Sequence, residues 1–279
     1  MSFPVVMVHG MCCTGDVWHN FRSFFESRGA HVSTPTLRPD VRVRSAVPKA
    51  LKQVRLASYL DQLTAEIAEV QRRTGETPAL IGHSMGGLLA QQLAERNLVR
   101  AAVFISPTAP VGARDAKTRF FWSTIRLFGA LGMTPGVIRP GPRVTHGVVL
   151  NMADDKAADR ARQGFVAESG RAFRDFATAR IDETRIKIPV LTVAARRDRM
   201  VPARLTRLTA KKYAAIGGDF IEYPTHGHWL YDEPGWEKPA GDIFEWLHAK
   251  ASLPAGQRPF SSHGSGEATR PAHGAAPAR

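Results

Sequence analysis

Cysteine is nearly absent from this 279-residue chain: there are two, Cys12 and Cys13, and they are neighbours. Adjacent cysteines cannot staple distant loops, and a bridge between them would be strained. A disulfide scaffold is thereby excluded, and free thiols in a reducing compartment, the cytoplasm, are expected. No apolar run reaches the ~18 residues that a membrane-spanning helix requires. The chain enters Pro4-Val5-Val6-Met7-Val8 with no basic leader, so no signal peptide is expected. No cluster of His, Cys, Asp or Glu has ligand spacing, so no metal is expected. Acids are scarce: 25 Asp and Glu stand against 38 Lys and Arg, a formal charge of +13. Such a surface attracts anions non-specifically. No helix-turn-helix, zinc-finger or RNA-binding signature accompanies it, so a specific nucleic-acid partner is not expected. Much of the excess lies in one connection, where Arg38, Arg42, Arg44, Lys49, Lys52 and Arg55 face a single acid, Asp40.

What is present is alternation. With 43% hydrophobic residues the chain can bury a sizeable core. Strand-like apolar runs at 5–9, 31–34, 79–81, 101–105, 189–193 and 219–223 are separated by helix-like segments at 15–27, 58–73, 86–96, 203–214 and 236–250. Leu60, Leu63, Ile67 and Val70 recur at helical spacing and make one buried stripe. Strands alternating with helices predict an α/β fold with a mostly parallel central sheet flanked by helices. The alternation breaks over residues 111–185, where the pattern shows helical stretches at 117–131, 154–168 and 171–179 around a Gly/Pro-rich piece. That length is too great for an ordinary crossover. The expected organisation is a core of 1–110 and 186–250, an inserted helical cap of 111–185 and a disordered tail of 251–279, which is rich in Pro, Gly, Ala and Ser.

The chemistry centres on Gly82-His83-Ser84-Met85-Gly86, which follows an apolar strand and precedes an apolar helix. A serine at the apex of such a turn is exposed as a nucleophile. It needs a base, and the base needs an orienting acid. Asp198 lies just past the 189–193 strand and is the best acid, ahead of Asp182 and Glu183, which precede that strand. The base is sought in Thr225-His226-Gly227-His228-Trp229, after the last strand; His228 is favoured over His226. The oxyanion formed by attack on a carbonyl needs backbone donors. The amide of Met85, at a helix start, is one. The second is sought in His9-Gly10-Met11-Cys12-Cys13, with Met11 first and Cys12 next.

Val8-His9-Gly10-Met11, Gly82-His83-Ser84-Met85-Gly86, Asp198 with Val201-Pro202, and Gly227-His228-Trp229 together resemble the α/β-hydrolase superfamily, in its cap-bearing, esterase-like branch. The resemblance spans residues 3 to about 250. It implies that the family's two-stranded N-terminal hairpin is missing here, leaving about six core strands. By the same resemblance Ser84 is the nucleophile, His228 the general base and acid, and Asp198 its orienting partner, with no cofactor. Serine rather than aspartate at the elbow disfavours epoxide hydrolases and dehalogenases.

The resemblance implies cleavage of carboxylic esters of small to medium apolar substrates through an acyl-enzyme. The alternatives are a C–C bond hydrolase or lactonase acting on an aromatic-degradation or anionic substrate, and a non-catalytic ligand-binding protein of the same fold. Candidate pocket residues are Cys12, Trp18, Phe121, Trp122, Ile125, Phe128, Val201 and Trp229. The expected partner is a small ester or related carbonyl compound. The oligomeric state, a homo-oligomer included, is not legible.

Overall fold

A computed structural model of the chain describes residues 4–44, 47–130 and 136–251, with the backbone alone for 126–130. The chain opens with β1 (Pro4–Val8), α1 (His19–Glu26), β2 (His31–Ser33) and α2 (Leu56–Thr74). It continues through β3 (Ala79–His83), α3 (Met85–Glu95) and β4 (Ala102–Ile105). The insertion then carries α4 (Ala116–Ala130), β5 (Val137–Ile138), α5 (Pro142–Val144), α6 (Asp155–Gly164), β6 (Glu168–Ser169) and α7 (Gly170–Asp175). The sheet resumes with β7 (Val190–Ala195), α8 (Ala203–Ala214), β8 (Asp219–Tyr223) and α9 (Glu237–Ala251).

Six strands form one sheet in the order β2-β1-β3-β4-β7-β8, with every pairing parallel. A parallel sheet is covered on both faces, so its strands are apolar throughout, and the two-residue pleat assigns neighbours to opposite layers. Val5 and Met7 of β1 join the layer under α1 and α9, with Phe21, Phe25, Ile243 and Leu247. Val6 and Val8 join the layer under α2 and α3, with Leu63, Ile67, Leu88 and Leu89. In α2 the expected stripe Leu60, Leu63, Ile67 and Val70 is buried, and the helix ends where Gly75 takes a left-handed φ of 74°.

The inserted region is helical, as the broken alternation predicts, but two of its helices end early, α7 at Asp175 where helix to residue 179 is expected. The segment expected to be helix to residue 168 leaves α6 at Gly164, and Glu168-Ser169 pairs antiparallel with Val137-Ile138. Two-residue strands carry no periodicity to detect. The insertion is anchored to both core layers: Trp122, Ala172 and Phe176 pack in one, Val149, Leu150, Ala158 and Ala161 in the other. The expected tail lies outside the described residues beyond Ala251, which closes α9.

No helix among the described residues is long and apolar enough to cross a membrane. The basic connection after β2 is not solvated throughout: Arg42 is buried.

Backbone passes too close for a side chain where α3 crosses β1 and β3. A Cβ on Gly86 would stand 2.3 Å from the Val8 carbonyl oxygen, and one on Gly82 would stand 2.2 Å from the Gly86 carbonyl oxygen. Both contacts are with backbone, which cannot swing aside. Gly86→Ala should therefore destabilise the fold by about 2–3 kcal/mol, measured by urea denaturation. Gly147→Ala, which has nothing within 4 Å of its added methyl, should leave the midpoint unchanged.

Candidate active site

The turn from β3 into α3 is too abrupt for ordinary backbone. Ser84 takes φ 54° and ψ −114°, a conformation that costs an L-residue roughly 1–3 kcal/mol. The surroundings hold it there. Ser84 N–H donates to the Ile105 carbonyl at 3.0 Å, and its own carbonyl accepts from Thr108 N–H at 3.0 Å and Leu88 N–H at 3.2 Å. Gly82 and Gly86, two residues to either side, allow the close crossing. The result is a half-buried hydroxyl facing a cavity of about 500 Å³ at the carboxyl ends of the strands.

His228 lines the same cavity. Its Nδ1–H donates to Asp198 Oδ2 at 2.8 Å. The other Asp198 oxygen accepts from the Met200 and Val201 amides at 2.8 and 2.7 Å, so the carboxylate is fixed before it meets the ring. With Nδ1 protonated, Nε2 is the acceptor. His226, the rival, is outside the cavity lining; its ring packs on Tyr223 and burial lowers its pKa. Asp182 caps a turn through Thr184, and Glu183 pairs with Lys212.

Two further residues fasten the loop that bears His228. His83 Nε2–H donates to the His228 carbonyl at 2.8 Å, and the two rings lie 4.5 Å apart. Burial, followed by the neighbouring His228, holds His83 well below the usual histidine range. Glu233 accepts from Gly227 N–H at 2.6 Å with one oxygen and from Trp229 N–H at 3.0 Å with the other. Burial lifts its pKa to about 7 against the opposing pull of those amides. Sequence reasoning overlooked Glu233, because its five-residue distance from His228 follows no helical or strand period.

The loop after β1 lies against the serine: a Cβ on Gly10 would stand 3.2 Å from Ser84 Cβ. Cys12 N–H points to Glu168 at 3.5 Å, a long contact. The amides of Met11 and Met85 have no acceptor among the described residues, which leaves both free to receive an oxyanion. Burial pushes the Cys12 thiol well up and the Cys13 thiol to about 12, so neither is a thiolate at neutral pH.

Of the expected pocket residues, Cys12, Phe121, Trp122, Val201 and Trp229 line the cavity. Trp18 does not. It is fully buried, with its ring 4.8 Å from Tyr231, because the apolar face of the turn before α1 packs inward between sheet and α9. Ile125 packs on the core layer instead of lining the cavity. The Phe128 side chain lies outside the described residues. Phe165, Phe173, Phe176, Met200 and Leu205 complete an apolar wall that the sequence did not single out. No group of three metal-ligating side chains is present among the described residues.

The chain matches the alpha/beta hydrolase family over residues 5–237. A comparison with curated protein sequences finds no match. Among solved structures, polyneuridine aldehyde esterase aligns at 17% identity over 87% of this chain and 99% of that one, with a TM-score of 0.64. A methylesterase from Arabidopsis aligns at 12% identity over 88% and 98%, with a TM-score of 0.67. Methylketone synthase I from tomato, complexed with 2-tridecanone, aligns at 17% identity over 90% and 99%, with a TM-score of 0.66. At these identities the likeness is one of fold.

Glu233 supplies a prediction with a defined sign. In the unfolded chain a glutamate ionises near pH 4.3, whereas in the fold this one keeps its proton to about pH 7. Its contribution to stability is full below about pH 4.3 and declines as pH rises toward 7, by at most roughly 1.4 kcal/mol per pH unit. Glu233→Gln removes that slope. The difference in unfolding free energy between wild type and variant, followed by urea denaturation from pH 4 to 8, should narrow as pH rises. A pH-independent difference contradicts the assignment.

Proposed function

The chain belongs to the alpha/beta hydrolase family, and from that premise we propose that it is a serine carboxylester hydrolase working through an acyl-enzyme. The reading is carried by one observation: the Asp198–His228 hydrogen bond ends at a cavity whose wall also holds Ser84 and the free amides of Met11 and Met85. An aspartate on Nδ1 stabilises the imidazolium that forms when Nε2 takes a proton. The strained backbone of Ser84 presents its oxygen to that cavity.

In the proposed sequence, an ester binds with its acyl part among the aromatic residues. Ser84 Oγ attacks the carbonyl carbon as His228 Nε2 takes the hydroxyl proton. The Met11 and Met85 amides receive the oxyanion; one such donor is typically worth about 3 kcal/mol in the transition state. The intermediate collapses, His228 returns the proton to the leaving alkoxide, and the alcohol departs. Water, deprotonated by the same nitrogen, attacks the acyl carbon, and His228 returns that proton to Ser84 Oγ as the acid is released. Every step uses groups of this chain and water.

The cavity supports small to medium apolar acyl groups. Its lining is mainly aromatic and aliphatic, with Lys117 and Arg204 as its charged members, and Arg204 pairs with Asp115. That an esterase and a methylesterase share the fold agrees with this reading. A second reading, an anionic substrate such as the lactonase or C–C hydrolase alternatives would take, draws on a neighbouring cavity of about 560 Å³. It shares Pro140 and Phe165 with the first and is lined by Arg139, His146 and Arg162.

Aryl esters of increasing acyl length separate these readings from one another and from simple ligand binding. The kcat/KM should rise about fourfold per added methylene, from ~0.8 kcal/mol each, until the cavity is full. Ser84→Ala should lose the pre-steady-state burst of aryl alcohol, and Asp198→Asn should lose roughly 10³–10⁴ in kcat with little change in KM. Full turnover in Ser84→Ala would overturn the assignment. Preference for carboxylate-bearing lactones or diketo acids over every neutral ester would favour the second reading.

A further inference from the structure

Arg42 and Glu168 form an ion pair with no solvent exposure, joined at 2.6 Å. They come from distant parts of the chain, the connection after β2 and strand β6 of the insertion. Neither belongs to the triad, and neither lines the cavity. Burying two charges returns little net stability compared with an apolar pair of the same volume. Their effect on the structure therefore lies in where their hydrogen bonds go.

Two of them reach one loop, Met11–Cys13, and the rest tie the pair to Tyr59 and Ser169. Arg42 Nη1 donates to the Cys13 carbonyl at 3.2 Å, and Nη2 donates to Tyr59 Oη at 3.0 Å as well as to Glu168. Glu168 Oε2 receives Cys12 N–H. Its Oε1 accepts from the Tyr59 hydroxyl and, at 2.8 Å, from Ser169 N–H. The Cys12 carbonyl accepts from Val166 N–H, also in the insertion, at 2.9 Å. Both polar backbone groups of Cys12 and the carbonyl of Cys13 are thus held from outside the loop. Cys12 needs holding, because it is a side-chain-bearing residue at φ 63°. With Cys12 N–H turned toward Glu168, Met11 N–H, on the cavity wall, is the loop amide placed for substrate.

We propose that the buried Arg42–Glu168 pair, with Tyr59, positions the loop at Met11–Cys13 so that the Met11 amide meets the oxyanion, making a seated cap a condition of an intact oxyanion hole. The proposal rests on the esterase reading. The pair never touches substrate; it acts through the backbone of Cys12 and Cys13.

A merely structural pair and a positioning pair separate when the charges are replaced together. Arg42→Met with Glu168→Leu fills similar volume without stranding a charge, but Tyr59 Oη, Ser169 N–H and the Cys13 carbonyl lose partners, so the melting temperature should fall by several degrees while the protein stays folded. On an aryl butyrate, kcat should fall about 10- to 100-fold, less than the full loss of an oxyanion donor, while KM stays within about twofold. A trifluoromethyl ketone with a butyl tail, which adds Ser84 Oγ to its carbonyl and leaves an oxyanion, should lose affinity by the same factor as kcat. The corresponding alcohol, which forms no oxyanion, should bind unchanged. Glu168→Gln, which keeps an acceptor, should lose less than Glu168→Leu.

A folded double variant with wild-type kcat and ketone affinity overturns the proposal. So does a loss shared equally by KM and alcohol binding, which would mark a pocket-packing role. If the double variant does not fold, Tyr59→Phe decides, since it removes one hydroxyl donor to Glu168 and creates no charge: kcat and ketone affinity fall together if the proposal holds, and no change in either overturns it. Failure of the underlying esterase reading looks different, because wild type itself would then show no ester turnover dependent on Ser84.

Discussion

The structure depends on a backbone held where it would not otherwise stay. Ser84 sits at positive φ between a strand and a helix that cross too closely for any residue but glycine at 82 and 86. That strain is compensated by hydrogen bonds from β4 and the segment after it, and by a sheet buried on both faces. A half-buried hydroxyl facing the cavity at the end of a parallel sheet follows, as does the free N-terminus of α3. His228 and Asp198 then enter from the ends of β8 and β7, the strands next in line across the sheet.

Around that point the protein places polar groups where burial makes them costly unless they are bonded. His83 ties the elbow to the loop carrying His228, Glu233 receives two amides of that loop, and Asp198 is itself anchored by two amides. Each bond constrains a direction more than it adds stability. The shared logic is preorganisation: a site fixed in advance needs less rearrangement when charge develops on the substrate. His9 fits the same pattern. It is kept neutral by burial, with its pKa near 3, and it accepts Leu37 N–H beneath the loop at Gly10.

Periodicity made the fold legible. Alternating strands and helices, the stripe of α2 and the turn at Gly82–Gly86 were local patterns, and the parallel six-stranded sheet with a helical insertion follows from them. Chain order and strand ends were enough to single out Ser84 and His228, which line one cavity, and Asp198, which is hydrogen-bonded to His228. What escaped was decided by tertiary contact. Arg42 reads as one more surface cation until Glu168 arrives from 126 residues away. Trp18 reads as a wall of the site until the sheet and α9 close over it. Glu168 sits at the end of a helix-like run, yet its neighbours pair as a strand, which only the partner Val137-Ile138 reveals.

The central claim is that an acyl group passes through one oxygen atom. The most direct test mixes the protein with a slowly deacylating aryl ester, quenches in acid within the first turnover, digests it and maps the acylated peptide by mass spectrometry. The account predicts one acyl mass per chain, on the peptide carrying Ser84 and on that residue. Acylation confined to Cys12, Cys13 or a histidine, or rapid turnover with no acylated peptide at any quench time, would contradict it.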